Sequence, residues 1–168
     1  YDGAAWQAVG ASGLTLISAT TIGTTVSSVT VSSAFSATYD NYLITVNGGA
    51  GSADLDLRLT LGATATGYAM NIIYTDYNNT VTAGGSTNQT SFKYAGAGNT
   101  TTLMASLTLQ NPFLTEFTYV FGNQTSALAN GFVGGFLNNT TSYTAFTITP
   151  STGTLTGGTI RVYGYANS

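Results

Sequence analysis

Strict alternation between apolar and polar residues is the feature that most limits how this chain can fold. Within residues 54–61, Leu55, Leu57, Leu59 and Leu61 alternate with polar side chains. Successive side chains of a β-strand point to opposite sides, so this segment is predicted to be a strand with one face in the core and the other in water. Residues 103–110 repeat the pattern, with Leu and Ala on one face and Met, Ser, Thr and Gln on the other.

Shorter alternating segments recur along the chain, at residues 14–17, 29–31, 42–46, 117–121, 132–137, 146–148 and 160–165. Clusters of Gly, Ala, Asn, Ser and Thr between them are predicted to be turns, at residues 47–52, 83–86, 95–99 and 138–141. No segment has the apolar spacing of a helix, and residues 125–130 form one helical turn at most. Frequent short strands separated by turns predict an all-β fold, an antiparallel β-sandwich with a jelly-roll-like topology.

The first twelve residues differ from the rest of the chain. Residues 1–12 are rich in Ala and Gly and contain the only tryptophan, Trp6, before the alternation begins. We therefore expect an N-terminal arm or linker over 1–12 and one β-sandwich domain over 13–168. Trp6 either fills the edge of the sandwich or docks onto a neighbouring subunit, and we assign it to an oligomer or virion contact.

Several chemistries are excluded by the residues that the chain lacks. It contains no Cys and no His, so thiolate metal sites and Ser-His or Cys-His catalysis are impossible. The three basic residues, Arg58, Lys93 and Arg161, are far apart in sequence and form no cluster that would bind nucleic acid. No apolar run reaches the about 18 residues that a membrane-spanning helix needs. We expect no catalytic residues, no cofactor, no metal site and no membrane insertion.

The low charge points to assembly. Only 5% of the residues are charged, whereas about a quarter are charged in typical soluble domains. Such a surface has little electrostatic protection against association, and its strand edges are not guarded by Lys or Pro. We predict a homo-oligomer; the alternative is that the hydroxyl-rich sheets alone keep a monomer in solution.

One loop region is the best local candidate for contact with a ligand or receptor. Tyrosine rings stack on sugars, and Asp and Asn form hydrogen bonds with hydroxyl groups. In the alternative interpretation, Tyr68 and Tyr74 are core residues of a strand and only Tyr77 is outside. The predicted contact residues are Tyr74, Asp76, Tyr77, Asn78 and Asn79.

The last alternating segment is predicted to close a sheet. It places Ile160 and Val162 on one face and Arg161, Tyr163 and Tyr165 on the other. A cation between tyrosines either stacks on a ring or reaches a partner carboxylate. We assign Arg161, Tyr163 and Tyr165 to an oligomer or virion contact.

Two carboxylates share one face of the strongest predicted strand. Asp54 and Asp56 are two residues apart, which places them about 6–7 Å from each other along a strand. That separation suits a glycosidase pair or a shared cation, but Arg58 follows on the same face and can neutralise them. A solvated, non-catalytic pair is the preferred interpretation.

Four segments, taken in this order, resemble a β-sandwich domain found in virion surface proteins of tailed bacteriophages: residues 35–44, residues 55–59, Asn111-Pro112 and residues 157–165. The resemblance spans about residues 13–168, and residues 1–6 look like the segment that leads into such a domain. It implies a non-enzymatic tail fibre, minor tail or capsid decoration (head-fibre) protein on the virion surface.

The same resemblance implies a homotrimer that contacts other capsid or tail proteins and a host surface glycan. Two alternatives from other classes remain. One is a secreted carbohydrate-binding module, which the same fold, Tyr-rich loops and acidic balance would serve. The other is a glycan-cleaving enzyme that uses carboxylates such as Asp54 and Glu116.

Overall fold

A computed structural model describes residues 13–126 and 129–167 of the 168-residue chain, and within them all regular structure is β-strand. The predicted arm over 1–12, including Trp6, lies outside the described residues. The strands are β1 Leu14–Thr21, β2 Val29–Val31, β3 Asn41–Asn47, β4 Ala50–Gly51, β5 Leu55–Leu61, β6 Tyr68–Asp76, β7 Val81–Gln89, β8 Phe92–Gly98, β9 Leu103–Gln110, β10 Thr118–Thr125, β11 Ala129–Leu137, β12 Phe146–Pro150, β13 Leu155–Thr156 and β14 Thr159–Tyr165.

Two layers of antiparallel strands form the sandwich, which confirms the predicted fold class. The eight-strand layer has the order β1-β14-β3-β9-β10-β11-β6-β7. The four-strand layer has the order β2-β12-β5-β8. The two layers are joined where the β8–β9 hairpin pairs Ala97 with Met104 and Gly98 with Leu103, and β13 pairs separately with β4.

In β5 and β9 the core is made by the residues that the alternation assigned to it, whereas Leu14 and Leu16 of the alternating segment 14–17 are exposed. All four leucines of β5 are buried, and so are Leu103, Ala105, Leu107 and Leu109 of β9. Each buried leucine contributes about 1.5–3 kcal/mol relative to an exposed one, so the two strands are major sources of stability. Side chains from both layers join in one hydrophobic cluster.

Two buried tyrosines keep their hydroxyl groups hydrogen-bonded inside this core. The Tyr68 hydroxyl accepts from Leu61 N at 2.8 Å and lies 3.2 Å from Thr64 O, to which it donates. Burial, opposed by the backbone hydrogen bond with Leu61, raises the pKa of Tyr68 to about 12. Burial also raises the pKa of Tyr42, whose hydroxyl donates to Ser36 O. Both side chains are therefore held in the neutral form.

Two of the predicted turns are wrong. Residues 83–86 lie inside β7, and residues 95–98 lie inside β8. The glycines of β8 allow neighbouring strands to approach: a Cβ atom at Gly96 would lie 2.5 Å from Met104 O. Glycine therefore serves close strand packing here, whereas at residues 47–52 it serves a turn, since Gly48 and Gly49 have φ values of 72° and 76°.

Candidate functional site

The outer surface of the eight-strand layer carries a cluster of exposed aromatic side chains. On β10, Val120 is buried while Tyr119 and Phe121 point to solvent, and on β11, Val133 is buried while Phe132 and Phe136 point to solvent. Phe117 precedes β10, and Ile73 lies on β6 opposite Phe132. We call the following residues the aromatic face: Ile73, Phe117, Tyr119, Phe121, Phe132 and Phe136.

Three rings of the aromatic face contact each other while remaining open to water. Phe117 stacks on Phe136 with ring centroids 6.1 Å apart and planes at 11°, and Tyr119 lies 6.4 Å from the same ring. Phe132 is the most exposed of the group, at 69%. A contiguous apolar patch of this kind on a protein surface marks a contact site.

A shallow groove runs beside the rings, across β11, β6 and β7. Its floor follows one row of paired residues, Gly134, Asn71 and Gly85. A Cβ atom at Gly134 would come no nearer than 3.9 Å to any neighbour, and one at Gly85 no nearer than 3.7 Å. Neither residue has a positive φ. The fold itself therefore does not require glycine at either position, and the missing side chains keep the groove open.

The predicted contact residues of the last strand lie on the same outer surface. Arg161, Tyr163 and Tyr165 are half-buried on β14, where they alternate with the buried residues Ile160 and Val162. Strand β3 lies between β14 and β9, so it separates these three side chains from those of β9 and β10. Their role as an oligomer or virion contact stays a prediction, as does the role of Trp6, which is outside the described residues.

Asp76 has a structural task in the turn between β6 and β7. Its Oδ1 accepts hydrogen bonds from the backbone N–H groups of Asn78, at 2.9 Å, and Thr80, at 2.8 Å. Asn79 adopts a left-handed φ of 67° and donates its N–H to Asp76 O. Asx geometry of this type fixes a tight turn. Contact with a ligand stays a prediction for Asp76, Asn78 and Asn79.

The two predicted contact tyrosines of this region have different surroundings. Tyr77 is 64% exposed, and its hydroxyl donates to Ser126 O at 3.1 Å. Tyr74 is half-buried against the core and lines a pocket of about 370 Å³. Tyr68, the other residue of the alternative interpretation, is fully buried. Of these three tyrosines, only Tyr77 is therefore exposed enough to present its ring to a partner.

Two of the carboxylates considered for catalysis, Asp54 and Asp56, lie at the pocket, and the third, Glu116, does not. Asp54 and Asp56 both line the pocket, and Asp56 Oδ1 accepts from Gln124 Nε2 at 3.0 Å. Glu116 instead accepts from Asn111 Nδ2 at 3.2 Å. Within residues 13–126 and 129–167 no three acidic side chains come together, and no ion pair joins Arg58 to Asp54 or Asp56.

The aromatic face and its groove were not singled out from the sequence. Residues 117–121 alternate, but both of their faces carry apolar side chains, so the pattern does not tell which side points outward. A usable signal is the pair of phenylalanines, Phe132 and Phe136, whose four-residue spacing places both on one side of a strand together with Gly134.

None of the described residues forms a helix that could cross a membrane. Comparison with protein-family models, with curated proteins and with solved structures finds no match for this chain.

Proposed function

We propose that this protein is a non-enzymatic structural subunit that assembles with copies of itself through the aromatic face, on the surface of a tailed-phage virion. The aromatic face is the observation that carries the proposal. Of the residues in the eight strands of its layer, only Arg161 and Asp76 are charged. A broad apolar surface with so little charge is poorly suited to permanent contact with water.

A second copy of the chain is the occupant that the shape of the surface favours. The face carries protruding rings, above all Phe132, and beside them the groove over Gly134 and Gly85. A ring of one copy fits into the groove of the next without charge repulsion. Phe132 also lines the groove, so ring and groove lie side by side on each copy. Repeated head-to-tail around an axis, this contact would close into a ring such as the trimer that the resemblance implies.

The virion setting rests on the resemblance of residues 13–168 to phage surface domains. In that setting the subunit is a homotrimer that contacts other capsid or tail proteins and a host surface glycan. Many copies on one particle would turn weak individual contacts into useful avidity. The function is mechanical and adhesive and needs no catalytic residue.

Sedimentation equilibrium of the purified chain tests the assembly. We expect a trimer for the wild type and a folded monomer for the double variant Phe121→Ser, Phe132→Ser. Tyr77→Ser is the matched control, because Tyr77 is about as exposed as Phe132 but lies outside the face. A monomeric wild type, or equal effects of the two changes, would contradict the assembly.

Cryo-electron microscopy of intact particles from the source tests the setting. Density for this domain on the capsid or tail, with copies in threes, is the expected result. If no particle contains the chain and the purified protein is a monomer, the secreted carbohydrate-binding module becomes the better account.

A further inference from the structure

The pocket at one end of the sandwich is built differently from the aromatic face. Its walls come from the ends of several strands of both layers, and its volume is about 370 Å³. Small-molecule sites are commonly pockets of about 300–1,000 Å³ with an apolar lining and a few convergent polar groups. This pocket has that composition, since Leu55, Ile72 and Ala97 line it together with carboxylate, amide and phenol groups.

The amide of Gln124 is fixed in one orientation. Its Nε2 donates to Asp56 Oδ1 at 3.0 Å and to Gly96 O at 3.3 Å, and both of these atoms are acceptors only. Oε1 must therefore point the other way, and this buried oxygen has no hydrogen-bond partner in the protein. Because Oε1 is closed off from solvent, Gln124 acts in the pocket by holding Asp56 Oδ1, which leaves Asp56 Oδ2 open to a ligand.

The pocket also contains carboxylate oxygens that accept no hydrogen bond from the described part of the chain. Both carboxylate oxygens of Asp54 and Oδ2 of Asp56 have no partner within the described residues. Asp54 immediately precedes β5, Asp56 lies within it, and Gln124 lies on β10 of the other layer. Groups so spread out suit a ligand with several hydroxyl donors better than a single point cation.

Two tyrosines supply an aromatic surface. Tyr74 and Tyr94 are half-buried residues that line the pocket. Tyr94 has a left-handed φ of 60° and lies where the β5–β8 register shifts between Leu57 and Leu59. Bulges re-aim side chains, and a strained non-glycine backbone persists where the surroundings hold it, often at binding sites. Tyrosine rings pack well against the C–H faces of sugars.

We propose that the pocket formed by Asp54, Asp56, Tyr74, Tyr94 and Gln124 binds a sugar residue that carries no negative charge. The two carboxylates accept from its hydroxyl groups, Gln124 holds Asp56 in place, and the rings cover its apolar face. An acidic sugar is rejected because two carboxylates line the pocket and no Lys or Arg is among its described lining residues. The site is separate from the aromatic face, so it is present whether or not the chain assembles.

Saturation-transfer NMR with the full chain and millimolar methyl glycosides tests the site. The panel contains neutral hexosides and N-acetylhexosaminides, and it pairs methyl glucoside with methyl glucuronide, which differs by a carboxylate. We expect at least one neutral glycoside to bind and the glucuronide not to. No binding by any neutral member, preferential binding of the glucuronide, or Ca²⁺ binding in place of sugar would overturn the proposal.

Asp54→Asn locates the binding, because Asp54 is exposed and makes no hydrogen bond that folding needs. Replacing a charged acceptor by a neutral one should weaken the neutral glycoside about fivefold. Asp40→Asn removes the same charge immediately before β3, away from the pocket, and should leave the affinity unchanged. Equal affinities for the two variants would place the sugar elsewhere. Repeating the titration with Phe121→Ser, Phe132→Ser, which should still bind, separates this proposal from the assembly.

Discussion

Adjacent glycines in β11 provide a sharp test of how the two faces of the eight-strand layer are used. A Cβ atom at Gly135 would lie 2.3 Å from Ala69 O and 3.0 Å from Met70 Cα, whereas ordinary contacts are 3.4–4 Å. The backbone of β6 would have to move by about 1 Å to admit an alanine. At Gly134 the same atom meets nothing nearer than 3.9 Å.

The two alanine variants should therefore change stability in opposite directions. Gly135→Ala should lower the free energy of unfolding by about 2–3 kcal/mol, which is the usual cost of overpacking. Gly134→Ala should raise it by about 0.5–1 kcal/mol, because alanine loses less backbone entropy than glycine on entering a strand. For a chain of this length, the melting temperature should fall by about 4–12 °C in the first variant and rise by about 1–4 °C in the second.

Urea unfolding and calorimetry measure these changes. Both variants are made in the Phe121→Ser, Phe132→Ser background, so that self-association does not add to the measured stability. Equal losses in the two variants, or an unchanged Gly135→Ala protein, would refute the assignment of inner and outer faces. In the wild-type background, Gly134→Val should also weaken assembly while the chain stays folded, because it fills the groove.

Three further outcomes follow from the core and the turns. The pKa of Tyr68 is raised from 10 to about 12, so the contribution of neutral Tyr68 to the free energy of unfolding is complete below pH 10. About 2–3 kcal/mol of that free energy should be lost as the pH rises to 12. In urea titrations at each pH, Tyr68→Phe should show a smaller loss. Asp76→Ala should cost about 1 kcal/mol in the same assay, whereas Asp76→Asn, which keeps Oδ1, should cost less. Leu57→Ala should cost about 3–4 kcal/mol because Leu57 is fully buried, and Leu14→Ala, at an exposed position, should cost little.

The sequence predicts those parts of the fold in which a single strand shows a clear apolar and polar alternation. In β5 and β9 the period-two leucines specify both the strand and its buried face, and both predictions were confirmed. The sequence predicts turns at residues 83–86 and 95–99 because Gly and Ala carry no apolar alternation, whereas the structure places 83–86 and 95–98 in strands. These segments become strands because β6 pairs with β7 and because β5 and β9 pair with β8, and those partners are distant segments that the local pattern does not reveal.

The candidate sites show the same limit. Asp54 and Asp56 could be paired from their spacing, but Gln124 and Tyr94 join them only through strand order and a bulge that local patterns do not encode. The Asp76 turn was predictable as a loop, yet its carboxylate is occupied by backbone N–H groups, which composition alone does not reveal.

The position of β14 has a consequence for how the chain is made. In the described structure β1 pairs with β14 alone, and β14 in turn separates β1 from β3. During synthesis the first strand therefore has no neighbour until residues 159–165 leave the ribosome, and β3 offers an open edge for the same interval. The eight-strand layer closes only after residues 159–165 have been synthesised, so a chain that stops short of β14 should expose the edges of β1 and β3 and aggregate or be degraded.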